Sequence, residues 1–320
     1  MSRAKLLAFA CGGAALVAAV AYAGAAAVEQ AVLRVGIVGL ALVALIHLPV
    51  IAATGSAWWL IGGELPGAAP WKFIWARYVR EATAEVLPFS QLGGIVAGAR
   101  TLTLTGLESV PVAATLLADL IIEQLAKLPY VLAGVAMLLL GARGAPLRVI
   151  AAALLPVCAI AILASLGRRR CAALLRRGAE ALARRWPALR LERAGQRDQL
   201  FKWDRRTAAA LATHTAAWAL GAAETWVVCH LMGLAVSPAQ ALILDSLFCG
   251  LRTFGFAVPA ALGVQEAGYV LACALIGVPA APAVALSLLR RVRELLVGAP
   301  ALGVWQAVEG GRALAGLADK

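Results

Sequence analysis

The chain has 320 residues, of which 62% are hydrophobic and only 14% are charged, and its formal net charge is +12. A soluble domain is about half apolar and about a quarter charged, so this composition excludes an ordinary soluble protein. We therefore expect one integral membrane domain over residues 1–320.

The hydrophobic runs predict an all-α fold, a polytopic transmembrane helical bundle with about six full spans. The first two runs carry no charged residue, and each exceeds the ~20 residues that a helix needs to cross the hydrocarbon. The first run is also longer than the ~7–15 apolar residues of a signal peptide, so we expect it to be retained. The spans are predicted at about 6–28, 35–63, 109–141, 146–166, 207–234 and 280–307.

A segment broken by proline and glycine follows the second span. It covers 87–106 and begins LPFSQLGG, with Pro88 near its start. The stretch before it, 71–86, carries Arg77 and Arg80, and it is predicted to be amphipathic and to lie at the cytoplasmic surface. We expect 87–106 to enter the membrane from that surface and to leave on the same side, as a re-entrant hairpin.

The same pattern returns 171 residues later in the segment 258–277, which begins VPAALGVQE. Interrupted hydrophobic segments at corresponding places in two halves indicate the binding site of a transporter. Because three crossings separate the copies, the second hairpin is predicted to enter from the opposite face, which makes the repeat inverted. A complete crossing by 238–257 would contradict this. The shift superimposes Pro88 on Pro259, Gly106 on Gly277, Pro111 on Pro282, Glu123 on Glu294 and Pro129 on Pro300.

These observations divide the chain into two repeats, about 35–141 and 207–312, joined by a linker span and a basic loop at about 142–206. The loop holds thirteen Lys or Arg and four acids between 168 and 206. By the positive-inside rule it is cytoplasmic, as both termini are expected to be. Its arginine-rich stretch, 170–186, is predicted to form a helix on an anionic lipid surface. Nothing in the loop matches a nucleic-acid-binding motif, so we expect no nucleic-acid partner.

The chain lacks the common motifs for metals and cofactors. Its six cysteines show no ligand spacing, and most lie in apolar runs, where cysteine behaves as a small buried hydrophobe. No GxxxxGK[ST] sequence is present, so a phosphate-binding loop of that type is excluded. We expect no disulfide, metal or cofactor.

The two breaks supply backbone chemistry suited to a binding site. Pro88 and Pro259 remove backbone donors and end helices, whereas Gly93, Gly94 and Gly263 permit turns that other residues resist. A helix that begins after Gly94 or Gly263 would direct free N–H groups and its positive dipole end toward an anionic headgroup. The side chains placed to complete such a pocket are those of Gln91, Arg100, Gln265 and Glu266.

Ionisable residues inside a membrane are costly and are functional candidates by default. Asp119, Glu123 and Lys127 follow at intervals of four on the third span, so they share one helix face. The shift of 171 places Asp119 on Arg290, and we predict that their helices face each other and pair acid with base. The alternative is pairing within each helix, Glu123 with Lys127 and Arg290 with Glu294. The last span carries four ionisable residues, Arg290, Arg291, Arg293 and Glu294.

Three stretches together resemble a known family. They are LPFSQLGG with the following IVAGARTL, the acidic span with Asp119 and Glu123, and the run from VPAALGVQE to LSLLRRVREL. The sequence resembles the flippase-like membrane domain of lysylphosphatidylglycerol synthases and its free-standing relatives, most of all the group associated with hopanoid biosynthesis. The resemblance covers about 35–308 and implies lipid movement between leaflets. In the synthases a separate soluble domain makes the aminoacyl lipid, so lysyl transfer is not expected here.

The leading hypothesis is a lipid flippase or transporter in the bacterial inner membrane. It would move a polar-headed lipid, a hopanoid or a phospholipid, between leaflets while the headgroup occupies the space between the hairpins. The cations expected to attract an anionic or polyol headgroup are Arg100, Arg290 and Arg291. The acids expected to balance them or to carry protons are Asp119, Glu123, Glu266 and Glu294.

Two alternatives stay open. An integral membrane transferase in hopanoid or phospholipid biosynthesis would use two of the same carboxylates as acid and base. A scaffold would instead gather lipid-biosynthesis enzymes at the membrane. The only sizeable soluble segment, 168–206, is unlike a nucleotide site, which favours the transporter over the transferase.

Overall fold

The computed structural model describes residues 17, 21, 24–86, 90–141, 204–252 and 263–318. Those residues form eight helices and no strand, which confirms the predicted all-α bundle. The helices are α1 (Ala25–Gly62), α2 (Pro70–Val86), α3 (Ser90–Leu104), α4 (Ser109–Gly141), α5 (Arg205–Leu231), α6 (Pro238–Arg252), α7 (Val264–Leu275) and α8 (Ala280–Ala318).

Some predictions fall outside these residues. They are the linker span at 146–166, most of the first span, the basic loop up to 203, and the two prolines of the breaks, Pro88 and Pro259.

Among the helices that the structure describes, two have the length and composition of membrane spans. Both α1 and α4, the latter over Ser109–Leu140, are long and apolar enough to cross a bilayer. The surface of α1 presents large apolar side chains, with Leu33, Val38 and Ile37 between 69% and 85% exposed. A surface of this kind is unfavourable in water, but it suits contact with acyl chains.

The helix α1 extends further toward the N-terminus than the second predicted span. It consists of two helical stretches that meet at a kink at Gly36, where φ is 60°, and the first stretch includes 29–34, which the predicted spans leave between them. The stretch from Ala25 to Val35 contains neither glycine nor proline and is rich in alanine, so nothing local ends a helix there.

The two halves of the chain repeat the same order of elements, two short helices between two long ones. The ends of α3 and α7 are 171 residues apart, and so are the starts of α4 and α8. Between them, Gly106 and Gly277 have φ values of 94° and 79°, which a residue with a side chain rarely adopts. The helix boundaries in this region therefore follow the shift found in the sequence.

Helix packing also corresponds between the halves. In the first half α2 packs on α3, α1 packs on α2, and α3 packs on α4. In the second half α6 packs on α7, α5 packs on α6, and α7 packs on α8. Between the halves, α1 packs on α5, α8 packs on α1 and α2, and α4 packs on α5 and α6. An exchange of the halves maps these contacts onto one another, as a twofold relation requires. That the two hairpins enter from opposite membrane faces stays a prediction.

Each hairpin begins one helix earlier than predicted. The segments 87–106 and 258–277 contain only α3 and α7, and the partner legs are α2 and α6, on which they pack. With 15 residues, α6 is about 22 Å long, which is shorter than a helix needs to cross the hydrocarbon. Its described part is therefore not a complete crossing.

The placement of 71–86 at the membrane surface is wrong, because α2 is buried in the bundle. Phe73 and Val79 are fully buried, and Arg77 and Arg80 are only 4% and 6% exposed. The polar face of α2 contacts carboxylates of α4 and not water. The amphipathic pattern of the sequence does not distinguish these two surroundings.

The expectation that a helix begins after Gly94 is also wrong, because α3 begins at Ser90. Gly94 instead lets α3 approach α2. A Cβ at Gly94 would clash with the carbonyl oxygen of Arg80, and one at Gly98 would lie 3.0 Å from the Cβ of Arg80. The GxxxG spacing thus marks a close helix contact.

We predict that Gly94→Ala destabilises the protein by about 1–3 kcal/mol, because the added methyl group has no space against the α2 backbone. The measurement is the free energy of unfolding in mixed detergent micelles. Gly303→Ala is the matched control, since a Cβ there has nothing within 4 Å. Equal stability of the two variants would contradict the close contact of α2 and α3.

Candidate functional site

A cavity of about 480 Å³ lies between the two halves and is lined by every described helix except α7. Its walls carry six cationic side chains and six carboxylates, an unusual number for the interior of a membrane protein. The cations are Arg77, Arg80, Lys127, Arg252, Arg290 and Arg293, and the acids are Glu81, Glu85, Glu123, Glu224, Asp245 and Glu294.

The first ion cluster joins α2, α4 and α5. Arg77 donates two hydrogen bonds to Glu123, of 2.9 and 3.1 Å, and Arg80 donates to Asp119 at 3.1 Å and to Glu123 at 2.8 Å. The Nε2 atom of His214 is 2.9 Å from Asp119. Asp119 and Glu123 lie four residues apart on α4, so one helix face presents both carboxylates to the α2 arginines.

The second ion cluster centres on Asp245 of α6. Arg290 donates to Asp245 at 3.1 Å and to the hydroxyl oxygen of Tyr269 at 2.8 Å. Asp245 also accepts hydrogen bonds from Thr225 at 2.9 Å and Tyr130 at 2.7 Å. Four helices thus share this one carboxylate, which leaves it little freedom to move.

His47 lies between a carboxylate of α2 and a carboxylate of α5. Its Nδ1 atom lies 2.8 Å from Glu224, which also accepts a 2.9 Å hydrogen bond from Arg293. Its Nε2 atom lies 3.8 Å from Glu81, which accepts a 2.7 Å hydrogen bond from Arg77. The imidazole therefore stands between one carboxylate of each half.

An ion pair links the two hairpins directly. Glu85, next to the last residue of α2, pairs with Arg252, the last residue of α6. Arg252 also lies 3.8 Å from Glu294. We call Glu85 and Arg252 the inter-hairpin pair. Because both residues line the cavity, this pair forms the part of the wall where the hairpin legs end.

The predicted pairing of Asp119 with Arg290 is wrong. Asp119 instead contacts Arg80 of α2 and His214 of α5, and Arg290 contacts Asp245 of α6. The charges are reversed between halves: α2 supplies arginines to acids on α4, whereas α6 supplies an acid to an arginine on α8. The alternative was pairing within each helix. Arg290 does lie 3.9 Å from Glu294 of the same helix, whereas Glu123 is hydrogen-bonded to arginines of α2.

Four predicted site residues form a separate cluster at the start of α7, outside the cavity wall. Gly263 precedes the helix, as predicted, but its N–H group donates to Glu266 at 2.7 Å and is not left for a ligand. Glu266 is fully buried and also accepts a 2.7 Å hydrogen bond from Arg291. Gln265 donates to the carbonyl oxygen of Ser287 at 3.2 Å. These contacts attach α7 to α8.

The remaining predicted residues lie on α3. Arg100 is 52% exposed, pairs with Glu309 at 2.7 Å, and is not part of the cavity wall. Gly93 and Gln91 belong to the same helix as Gly94. Of the predicted site residues, the cavity wall contains Glu123, Arg290 and Glu294, and Asp119 lies behind it, bonded to Arg80.

Several cavity residues were not predicted as part of the site. Arg77 and Arg80 were expected at the membrane surface, and His47 was not among the predicted site residues. Glu224 and Asp245 are single acids in apolar runs. The sequence did carry one signal for them. A single charged residue in an apolar run is unfavourable in a membrane unless it is paired, so each of these acids predicts a partner elsewhere in the bundle.

One family model matches nearly the whole chain. It is described as the lysylphosphatidylglycerol synthase TM region, and it matches residues 5–301, which include both halves of the bundle. Comparison with curated proteins gives no match, and comparison with solved structures gives none either.

We predict that Glu123→Gln lowers the free energy of unfolding by about 3–5 kcal/mol, because it leaves two buried guanidinium groups without their shared carboxylate. The matched control is Glu64→Gln, which removes an ion pair whose carboxylate side chain is 78% exposed. Its expected cost is at most about 1 kcal/mol. Detergent unfolding of both variants tests this, and a small effect at Glu123 would contradict the paired cluster.

Proposed function

The chain belongs to the lysylphosphatidylglycerol synthase TM family, and on that premise we propose that it moves a polar-headed lipid between membrane leaflets. The family and the apolar helices make it a membrane protein with a lipid-related function. Transport is a more specific proposal than a lipid-related function, and the cavity is the observation that supports it.

The cavity suits a lipid headgroup. Its volume of about 480 Å³ lies within the ~300–1,000 Å³ of small-molecule sites. Charged residues line it, whereas the outer surface of α1 is apolar. A lipid could therefore place its headgroup among the charges while its acyl chains stay in contact with the bilayer.

The corresponding halves suit alternating access. In transporters built from inverted repeats, the site lies between the repeats, and one half moves against the other. Here the cavity lies between halves with matching helix order and packing, and the inter-hairpin pair holds their first legs together. We propose that this pair separates and re-forms as the headgroup passes.

The chemistry of the cavity favours transport over the alternative, a transferase. A transferase needs a carboxylate that can take up or give a proton at the substrate. Each carboxylate of the cavity wall is in an ion pair with an arginine among the described residues, an arrangement suited to holding a charged headgroup. The pairs are Glu81–Arg77, Glu85–Arg252, Glu123–Arg77, Glu224–Arg293, Asp245–Arg290 and Glu294–Arg293.

We further propose a bacterial inner-membrane location with both termini in the cytoplasm. The excess of Lys and Arg at 168–206 supports it through the positive-inside rule. The same segment would rest on anionic lipid. Lipid-biosynthesis enzymes are the expected neighbours of a transporter of their product.

We predict that Val50→Trp slows lipid movement at least about tenfold, because a large side chain at this cavity-lining position takes space from the headgroup. The assay follows labelled lipids in proteoliposomes with a reagent that quenches only the outer leaflet. Leu45→Trp on the 62% exposed face of the same helix is the matched control and should move lipid at the wild-type rate. Equal rates for both variants would reject the cavity as the path.

We also predict that linking the hairpins stops transport. Glu85→Cys and Arg252→Cys are combined in a protein without its native cysteines, and the two thiols are joined by a short reducible cross-linker. Lipid movement should fall to the rate of protein-free vesicles and return after reduction, because the inter-hairpin pair can no longer separate. Each single-cysteine protein, treated in the same way, is the control. Full activity of the cross-linked protein would show that the hairpins need not part.

A further inference from the structure

One ring nitrogen of His47 faces both a hydrogen-bond donor and a hydrogen-bond acceptor. Its Nδ1 atom lies 2.8 Å from Oε2 of Glu224 and is also in hydrogen-bond contact with Nη1 of Arg293. Glu224 accepts from Arg293 through both oxygens, at 2.9 and 3.2 Å, as an ionised carboxylate does. A guanidinium group only donates and an ionised carboxylate only accepts. Nδ1 therefore satisfies Arg293 when it carries no proton and Glu224 when it carries one.

Two protonation states of the ring each satisfy a different part of this geometry. In the neutral ring with its proton on Nε2, Nδ1 accepts from Arg293, and the Nε2–H group faces Glu81 at 3.8 Å. In the imidazolium ion both nitrogens are donors, one toward Glu224 and the other toward Glu81. Arg293 must then leave Nδ1, and two acids can keep it paired: Glu224 at 2.9 Å and Glu294 at 3.4 Å.

The acids expected to carry protons are less suited to that role than His47. Each of the four is paired with an arginine, and a proton on the acid would leave that arginine without its counter-charge inside the bundle. The pairs are Asp119–Arg80, Glu123–Arg77, Glu266–Arg291 and Glu294–Arg293. A proton on His47 instead adds a hydrogen bond to an ionised carboxylate and breaks none of these pairs.

Charges of both signs surround the ring. The helices α2, α4, α5 and α8 pack on α1, which carries His47. The charged groups that these four helices present to the cavity are Arg77, Arg80, Glu81, Glu85, Glu123, Lys127, Glu224, Arg290, Arg293 and Glu294. With Asp245 and Arg252 of α6, the wall has six cations and six carboxylates, whose charges cancel. A proton on His47 therefore gives the wall a net positive charge.

We propose that His47 is a proton-binding site that couples lipid movement to a difference in pH across the membrane. The neutral ring takes a proton from water on one side at Nδ1, donates it in a hydrogen bond to Glu224, and returns it to water on the other side. This inference rests on the proposed function and adds its energy source. Because the proton changes the charge of the cavity, the affinities for proton and headgroup are linked, and linkage of this kind is reciprocal.

The position of His47 suits this role. Of the three histidines of the chain, it is the one that lines the cavity, and 15% of its side chain is exposed there. His214 is fully buried, and His230 is exposed outside the cavity. The ring contacts carboxylates of α2 and α5, one from each half, so it lies where a movement of the halves changes its surroundings.

Histidine NMR of the full-length protein in detergent tests proton binding separately from transport. The ring nitrogens are isotope-labelled, and His47→Gln identifies the signals of His47. Between about pH 8 and about pH 5, the range in which histidine changes charge, Nδ1 should change from an unprotonated acceptor to an N–H donor. His230→Gln is the matched control and should leave the His47 signals unchanged. An Nδ1 atom that keeps one state over this range would overturn the proton site.

A pH gradient across proteoliposomes tests the coupling. A gradient of about one pH unit is about a tenfold difference in proton activity, so a lipid coupled to one proton should reach up to about a tenfold difference between leaflets. The wild type and His230→Gln should build such a difference, and a protonophore should abolish it. His47→Gln should distribute lipid as it does at equal pH, because glutamine takes up no proton. Protein-free vesicles measure the response of the lipid itself.

The two measurements distinguish failure of the proton site from failure of the proposed function. Proton uptake at His47 in a wild type that moves no lipid would keep the proton site and reject transport. Lipid movement by the wild type without any response to the gradient would keep transport and overturn the coupling. A gradient response retained by His47→Gln would overturn the assignment to His47. Loss of the response in His47→Gln, together with proton uptake at Nδ1 of the wild type, is the result expected from both proposals.

Discussion

The pairing of buried charges constrains the whole bundle. A guanidinium or carboxylate group in the low-dielectric interior of a membrane protein is tolerated only when an opposite charge and hydrogen bonds satisfy it. Arg77 and Arg80 meet this requirement through α4, and Arg290 meets it through α6. Because each pair joins different helices, the pairs determine which helices are neighbours and hold the hairpin legs in the core.

The two halves meet this constraint with opposite charges. The first leg of one hairpin supplies cations to α4, and the first leg of the other supplies an anion to α8. A cavity between such halves is chemically asymmetric even though its helices follow the same order. His47 and the inter-hairpin pair connect the two sides.

Sequence reasoning succeeded where the signal is local. The apolar runs predicted helices, the shift of 171 predicted where α4 and α8 begin, and Gly263 predicted the start of α7. Sequence reasoning failed to predict which charged residues pair with each other. Arg77 and Arg80 read as surface residues because an amphipathic helix looks the same whether its polar face meets water or carboxylates. Asp119 and Arg290 read as a pair because the repeat makes them equivalent, but equivalence does not place them in contact.

The sequence by itself determined the environment of the protein, its helices and its breaks, because hydrophobicity, glycine conformation and proline geometry act on neighbouring residues. Only the tertiary structure decided which charges meet. Glu224 and Arg293 are 69 residues apart, and Glu85 and Arg252 are 167 apart. Contacts over such separations depend on helix packing, and the interior of the bilayer makes that packing and the charge pairing depend on each other.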